Sequence, residues 1–72
     1  MRDPRLTPHA GDRLQVGDYG AICEVRVVYG DRLMWSTTWP DREGKCISEG
    51  TLAEWQRHVA GATVVTVAGE GT

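Results

Sequence analysis

A strand–turn–strand pattern in the middle of the chain is the feature that most constrains its fold. Residues 21–29 are rich in β-branched side chains, and charged and apolar residues alternate along them. Gly30 and Asp31 then give a turn signal, and residues 32–39 supply a returning strand that ends before Pro40. The pattern predicts an antiparallel hairpin with one apolar face.

The sequence on either side predicts three further short strands, at residues 13–16, 45–47 and 63–67. Glycines in the segment 17–20 indicate a turn between the first strand and the hairpin. The strands are therefore short and closely spaced.

One amphipathic helix is predicted at about residues 49–60. Thr51 and Glu54 have the spacing of a capping box, which satisfies free N–H groups at a helix start. Leu52, Trp55 and Val59 then lie on one stripe of the helix. We expect this stripe to pack against the strands.

Together these elements predict a mainly β fold with one short α-helix. The expected architecture is a small SH3-like, partly open barrel or a strongly bent antiparallel sheet, and a helix on an open antiparallel sheet is the alternative. A chain of 72 residues has room for one domain, predicted at 13–67. Residues 1–12 are expected to form an extended N-terminal arm, and 68–72 a flexible tail.

Two registers of the hairpin have different consequences for its tryptophans. A two-residue loop places Arg26 opposite Trp35 and puts Trp35 and Trp39 on a mixed, binding-type surface. A three-residue loop places Val27 opposite Trp35 and directs both tryptophans to the core. Because burial usually overrules local turn preference, we favour the three-residue loop.

Charge and hydropathy narrow the range of partners. The net charge of −2 disfavours binding to duplex nucleic acid through many phosphate contacts. No apolar run approaches the ~20 residues of a membrane span, and the N-terminus lacks the apolar stretch of a signal peptide. We therefore expect a cytoplasmic protein that does not contact membranes.

The sequence offers no recognisable catalytic or metal site. The candidate ligands His9, Cys23, Cys46 and His58 lack the close spacing of structural zinc sites. A cysteine at a strand centre on an apolar face is usually inert, so a Cys–His pair is not expected to catalyse a reaction. We predict that the protein is not an enzyme and needs no cofactor or metal.

Aromatic residues and arginines are the remaining candidates for function, because these residue types are enriched in binding hot spots. A small core also uses aromatic residues for bulk, so each candidate also has a structural explanation. The candidate binding residues are Tyr19, Arg26, Arg32, Trp35 and Trp39.

The N-terminal pattern Asp3-Pro4-Arg5-Leu6-Thr7-Pro8 with Gly11-Asp12-Arg13-Leu14, and the later patterns Leu52-x-x-Trp55 and Gly61-Ala62-x-Val64-Val65, resemble short proteins of temperate bacteriophages and prophages. The resemblance covers most of the chain. It implies a bacterial cytoplasm during phage infection, and it assigns no activity and no catalytic residue.

The resemblance implies a non-enzymatic binder that counters a host defence. It would either occupy a host protein, through a patch near Tyr19, Tyr29 and Trp39, or sequester a small anionic nucleotide. Sequestration would require Arg26 and Arg32 to converge with an aromatic ring, across the interface of a homo-oligomer. The alternatives are a single-stranded nucleic-acid-binding small barrel and a structural phage subunit.

Overall fold

A computed structural model describes residues 2–69 of the chain, so the part of the predicted tail at 70–72 lies outside the described residues. In chain order the elements are β1 (Arg13–Val16), β2 (Ala21–Tyr29), β3 (Arg32–Thr38), β4 (Lys45–Thr51), α1 (Leu52–His58) and β5 (Thr63–Thr66).

The five strands form one sheet in the order β4-β3-β2-β1-β5, and every neighbouring pair is antiparallel. The sheet does not close, so β4 and β5 are its two edges. The predicted class, mainly β with one short helix in a bent, partly open antiparallel sheet, is confirmed.

The β2–β3 hairpin combines features of both predicted registers. Tyr29 lies opposite Arg32 across a tight two-residue turn in which Gly30 has φ +65°, so the favoured three-residue loop is wrong. A bulge at Arg26 then shifts the pairing and places Val25 opposite Trp35. The bulge keeps the preferred turn and still aligns the apolar face of β2 with that of β3.

The core lies on one face of the sheet and is covered by α1 and the N-terminal segment. Trp35 is 7% exposed and meets Trp55 edge to face, with ring centroids 5.2 Å apart. The other buried core members are Leu14, Cys23, Val25, Leu33, Val59 and Ala62. Full burial of each large apolar side chain contributes about 1.5–3 kcal/mol, so this cluster is the main source of stability.

Helix α1 begins at Leu52, later than predicted, because β4 continues through Thr51. The predicted capping box is present: the Glu54 backbone N–H donates to Thr51 Oγ1, and Glu54 Oε1 accepts the Thr51 backbone N–H at 3.0 Å. These hydrogen bonds from Thr51 lower the pKa of Glu54.

The N-terminal segment contains a turn, in which the backbone N–H groups of Leu6 and Thr7 both donate to the Asp3 carbonyl. It also packs under the helix, since the buried indole N–H of Trp55 donates to the Pro4 carbonyl at 3.0 Å. Pro4 is fully buried. This part of the chain therefore belongs to the core.

Candidate functional site

On the face of the sheet that points away from the core, a group of apolar side chains from β2, β3 and β4 forms what we call the outer strip: Val27, Tyr29, Met34 and Ile47. Val27 lies directly opposite Met34, and Tyr29 is two residues further along the same strand. Met34 faces Glu49 on β4, so Ile47 is its diagonal neighbour. The outer strip therefore crosses three adjacent strands.

The side chains of the outer strip are well exposed. The exposed fraction is 46% for Val27, 41% for Tyr29 and 52% for Ile47, and Met34 is half-buried. Single exposed apolar residues are common on protein surfaces, but adjacent ones mark a surface that can contact a partner. This grouping is the main unexplained feature of the outer face.

Charged side chains of both signs frame the outer strip. Arg26 Nη1 lies 3.8 Å from Glu24 Oε1, and Arg32 Nη2 lies 3.9 Å from Glu49 Oε1. All four side chains are substantially exposed, so these loose ion pairs add little stability. Their groups can exchange partners when another molecule docks.

An aromatic group lies at the end of the sheet where β2 begins and β3 ends. Tyr19 is 85% exposed in the β1–β2 turn, and the Arg42 guanidinium lies 5.2 Å above the half-buried Trp39 ring. A Cβ at Gly20 would lie 3.3 Å from Pro40 Cγ, so the two connections that hold these aromatics are in close contact.

The five predicted binding residues do not form one site. Tyr19 and Trp39 lie at this aromatic end, whereas Arg32 lies at the opposite end of the sheet. Arg26 is at the bulge, beside Glu24, and Trp35 is in the core. The two arginines are therefore not grouped with Tyr19, Trp35 and Trp39.

A small groove separates the N-terminal segment from the β2–β3 turn. Its apolar lining comes from Leu6, Val28, Leu33 and Leu52, and His9 also borders it. Its volume of about 240 Å³ is below the roughly 300–1,000 Å³ of typical small-molecule sites. The groove can accept an apolar side chain more readily than a nucleotide.

The structure brings together one Cys–His pair that the sequence contains. Cys23 Sγ lies 3.5 Å from His58 Nε2 and 3.5 Å from Thr37 Oγ1, and the His58 ring stacks on Trp35. However, Cys23 has no exposed surface, and burial raises the pKa of its thiol. The sulfur is therefore a buried thiol that an external substrate cannot reach.

Within residues 2–69, no group of three or more His, Cys, Asp and Glu side chains could hold a metal ion. No helix in the same range is long and apolar enough to cross a membrane. Comparison with protein-family models, curated proteins and solved structures returns no match.

The sequence interpretation missed most of the outer strip, because it ended the fourth strand at Ile47, placed Val27 opposite Trp35 on the core face and gave Met34 no role. The sequence signal that indicates this part of the outer strip is the alternation of side chains in residues 45–49, which predicts a strand longer than 45–47. Lys45, Ile47 and Glu49 share one face of a strand, which leaves an apolar side chain between two charges.

Proposed function

We propose that the protein is a non-enzymatic binding protein that acts by occupying another protein through the outer strip. The observation that supports this proposal is the adjacency of Val27, Tyr29, Met34 and Ile47 on the face opposite the core. An apolar surface on the partner is the complement that these side chains require.

The energetics indicate how large the contact must be. Covering the exposed halves of four apolar side chains supplies roughly 3–6 kcal/mol before the cost of association, taking about 1.5–3 kcal/mol for full burial of each. A millimolar complex already corresponds to about 4 kcal/mol. We therefore expect the partner also to engage the charged groups around the outer strip, beginning with Arg26 and Arg32.

The resemblance to short phage proteins favours a bacterial host protein as the partner, with interference in a host defence as the result. Sequestration of a small nucleotide has less support. Arg26 lies 3.8 Å from Glu24 and Arg32 lies 3.9 Å from Glu49, so an anionic ligand would have to compete with a carboxylate at each guanidinium.

Site-specific photo-crosslinking in bacterial cells tests the proposal. A photoreactive amino acid at Val27 should give an adduct with one host protein. The same group at Ala53, which is exposed on α1, should not give that adduct. Identical adducts from both positions, or none from Val27, would contradict the proposal.

A second measurement uses the purified partner that crosslinking identifies. The Val27→Glu variant places a charge in the outer strip at an exposed position, so the fold should persist while affinity falls at least tenfold. The Ala53→Glu variant is the matched control and should bind as the wild type does. Equal affinities of the two variants would place the contact elsewhere.

A further inference from the structure

Edge strand β4 has a regular run of backbone groups that face away from the sheet. The Leu52 N–H donates to the Asp31 carbonyl on the β3 side, and extending the register one residue beyond the Arg32–Thr51 pair places these two residues opposite each other. In an antiparallel pair, bonded and non-bonded residues alternate along the strand. The N–H and C=O groups of Lys45, Ile47 and Glu49 therefore point to the open edge.

The neighbouring residue confirms this assignment. Thr51 continues the same series of alternate residues (45, 47, 49, 51), so its backbone groups also point away from β3. Its N–H is bonded to Glu54 Oε1 at 3.0 Å. The capping box thus satisfies Thr51, and the free run ends at Glu49. An exposed edge of this kind is a template for pairing with another strand.

The side chains of the free run are self-complementary. If a second β4 pairs antiparallel about a two-fold axis at Ile47, Lys45 of each copy lies opposite Glu49 of the other. Ile47 then faces its own copy. Residues with outward groups meet one another in this arrangement, so each of the three pairs forms both of its backbone hydrogen bonds.

We propose that β4 is a homodimer interface in which two copies of the chain pair antiparallel about Ile47, forming one continuous ten-stranded sheet. We assign a second copy to the edge because β4 is complementary to itself. Lys45 and Glu49 lie at equal distances on either side of Ile47, so only this register pairs each lysine with a glutamate of the other copy. The inference goes beyond the proposed function and does not depend on it.

Adjacent registers lack this match. An axis at Ser48 places Glu49 opposite Ile47, so the carboxylate meets an apolar side chain. An axis at Cys46 places Lys45 opposite Ile47 and brings Glu49 towards Glu43, which has the same charge. The other edge, β5, has only four residues (Thr63–Thr66) and offers no charged pair.

Dimerisation would also affect the outer face. Lys45, Ile47 and Glu49 lie on the same face as the outer strip, so the two strips of a dimer meet at the paired Ile47 side chains. The combined apolar surface then extends across both copies.

Charge exchange between two single variants tests the interface. A homodimer of the Lys45→Glu variant has two contacts between position 45 of one copy and Glu49 of the other, and both now join two negative charges. A homodimer of the Glu49→Lys variant has two contacts between Lys45 of one copy and position 49 of the other, and both join two positive charges. Each variant alone should have a dissociation constant at least about tenfold higher than the wild type. An equimolar mixture should form a heterodimer with wild-type affinity, because both pairs are then of opposite charge.

Sedimentation velocity over a concentration series measures these states, and Ala53→Glu is the matched control for an added charge. A wild type that stays monomeric at every concentration would overturn the proposal. So would single variants that dimerise as the wild type does, or a mixture that fails to associate.

A disulfide trap tests the register separately. With the axis at Ile47, Ser48→Cys brings the new thiol opposite Cys46 of the second copy. This is a non-hydrogen-bonded pair with Cα atoms about 4.5 Å apart, which a disulfide can bridge. Mild oxidation should give a covalent dimer that reductant separates.

The Cys46→Ser/Ser48→Cys double variant should give no covalent dimer under the same oxidation. Efficient crosslinking of the double variant would place the axis at Ser48 and overturn the proposed register.

Discussion

At the scale of single residues, the two cysteines differ most in environment. Cys23 is fully buried, and burial raises the pKa of its thiol above the ordinary value of 9.0, whereas Cys46 is exposed. Because the thiolate is the reactive form, Cys23 is protected twice, by its inaccessibility and by its low thiolate fraction at neutral pH.

We therefore predict that a Cys46→Ser variant, in which Cys23 is the only thiol, reacts with a thiol reagent only when the protein unfolds. The Cys23→Ser variant, which retains Cys46, should react readily in the native state. The reaction rate of each variant with and without urea provides the measurement. Fast labelling of Cys23 in the native state would show that its sulfur, beside His58, is both accessible and reactive. That outcome would contradict the prediction and support a catalytic role for this pair.

At the scale of elements, the capping box is the feature that defines the start of α1. Replacing Thr51 by Ala removes the acceptor for the Glu54 N–H, so we predict a loss of about 1 kcal/mol in the free energy of unfolding. Thr51→Ser keeps the hydroxyl and should retain most of the stability. Urea unfolding of both variants tests whether Thr51 acts through this capping hydrogen bond. If it acted only through side-chain packing, both substitutions would lower the free energy of unfolding by the same amount.

The hairpin shows how far local sequence patterns predict an element and where they stop. Turn chemistry at Gly30 and Asp31 indicated the two-residue loop, and burial indicated that Trp35 lies in the core; both features are present. They are compatible only because Arg26 is accommodated in a bulge. A bulge follows from the balance of pairing along two whole strands, and no local residue pattern specifies it.

The limits of the site prediction have a similar cause. Exposed Tyr19 and half-buried Trp39 could be linked to one end of the sheet from their positions next to turns. The outer strip depends on register across three strands, since Met34 and Ile47 become neighbours only through β3–β4 pairing. Residue type alone therefore indicated candidate contacts without their grouping.

At the scale of the whole molecule, Asp12 connects the two ends of the described chain. Its fully buried carboxylate accepts hydrogen bonds from Arg2 at 2.5 and 2.9 Å, from the His9 N–H at 2.7 Å and from the Ala68 N–H at 2.7 Å. Burial alone would raise the pKa of Asp12, but the bonds from Arg2, His9 and Ala68 outweigh it, and the pKa is lowered.

The lowered pKa makes stability depend on pH in a definite direction. A carboxyl with a lower pKa in the folded than in the unfolded chain stabilises the fold fully above its unfolded value, here near 3.8, and loses that contribution as pH falls. Asp3 and Glu54 also have lowered pKa values, so acid destabilises the protein through several groups. The contribution of Asp12 must therefore be isolated by comparison.

Asp12→Asn removes the charge while keeping the shape of the side chain, and it takes away the buried carboxylate that accepts two hydrogen bonds from Arg2. We predict a loss of about 3–5 kcal/mol at neutral pH, a large share of the roughly 4–11 kcal/mol expected for a chain of this length. The loss should shrink as pH falls below about 4, because the Asp12 carboxyl of the unfolded wild-type chain then takes up a proton, and the folded carboxyl follows at lower pH. The variant that combines Asp12→Asn with Arg2→Met should recover part of the stability, since a guanidinium is then no longer held beside a neutral amide. Urea unfolding of the three proteins between neutral and acidic pH measures these differences. A loss that is independent of pH would mean that Asp12 acts through packing and neutral hydrogen bonds, and that its charge does not connect the two ends of the chain.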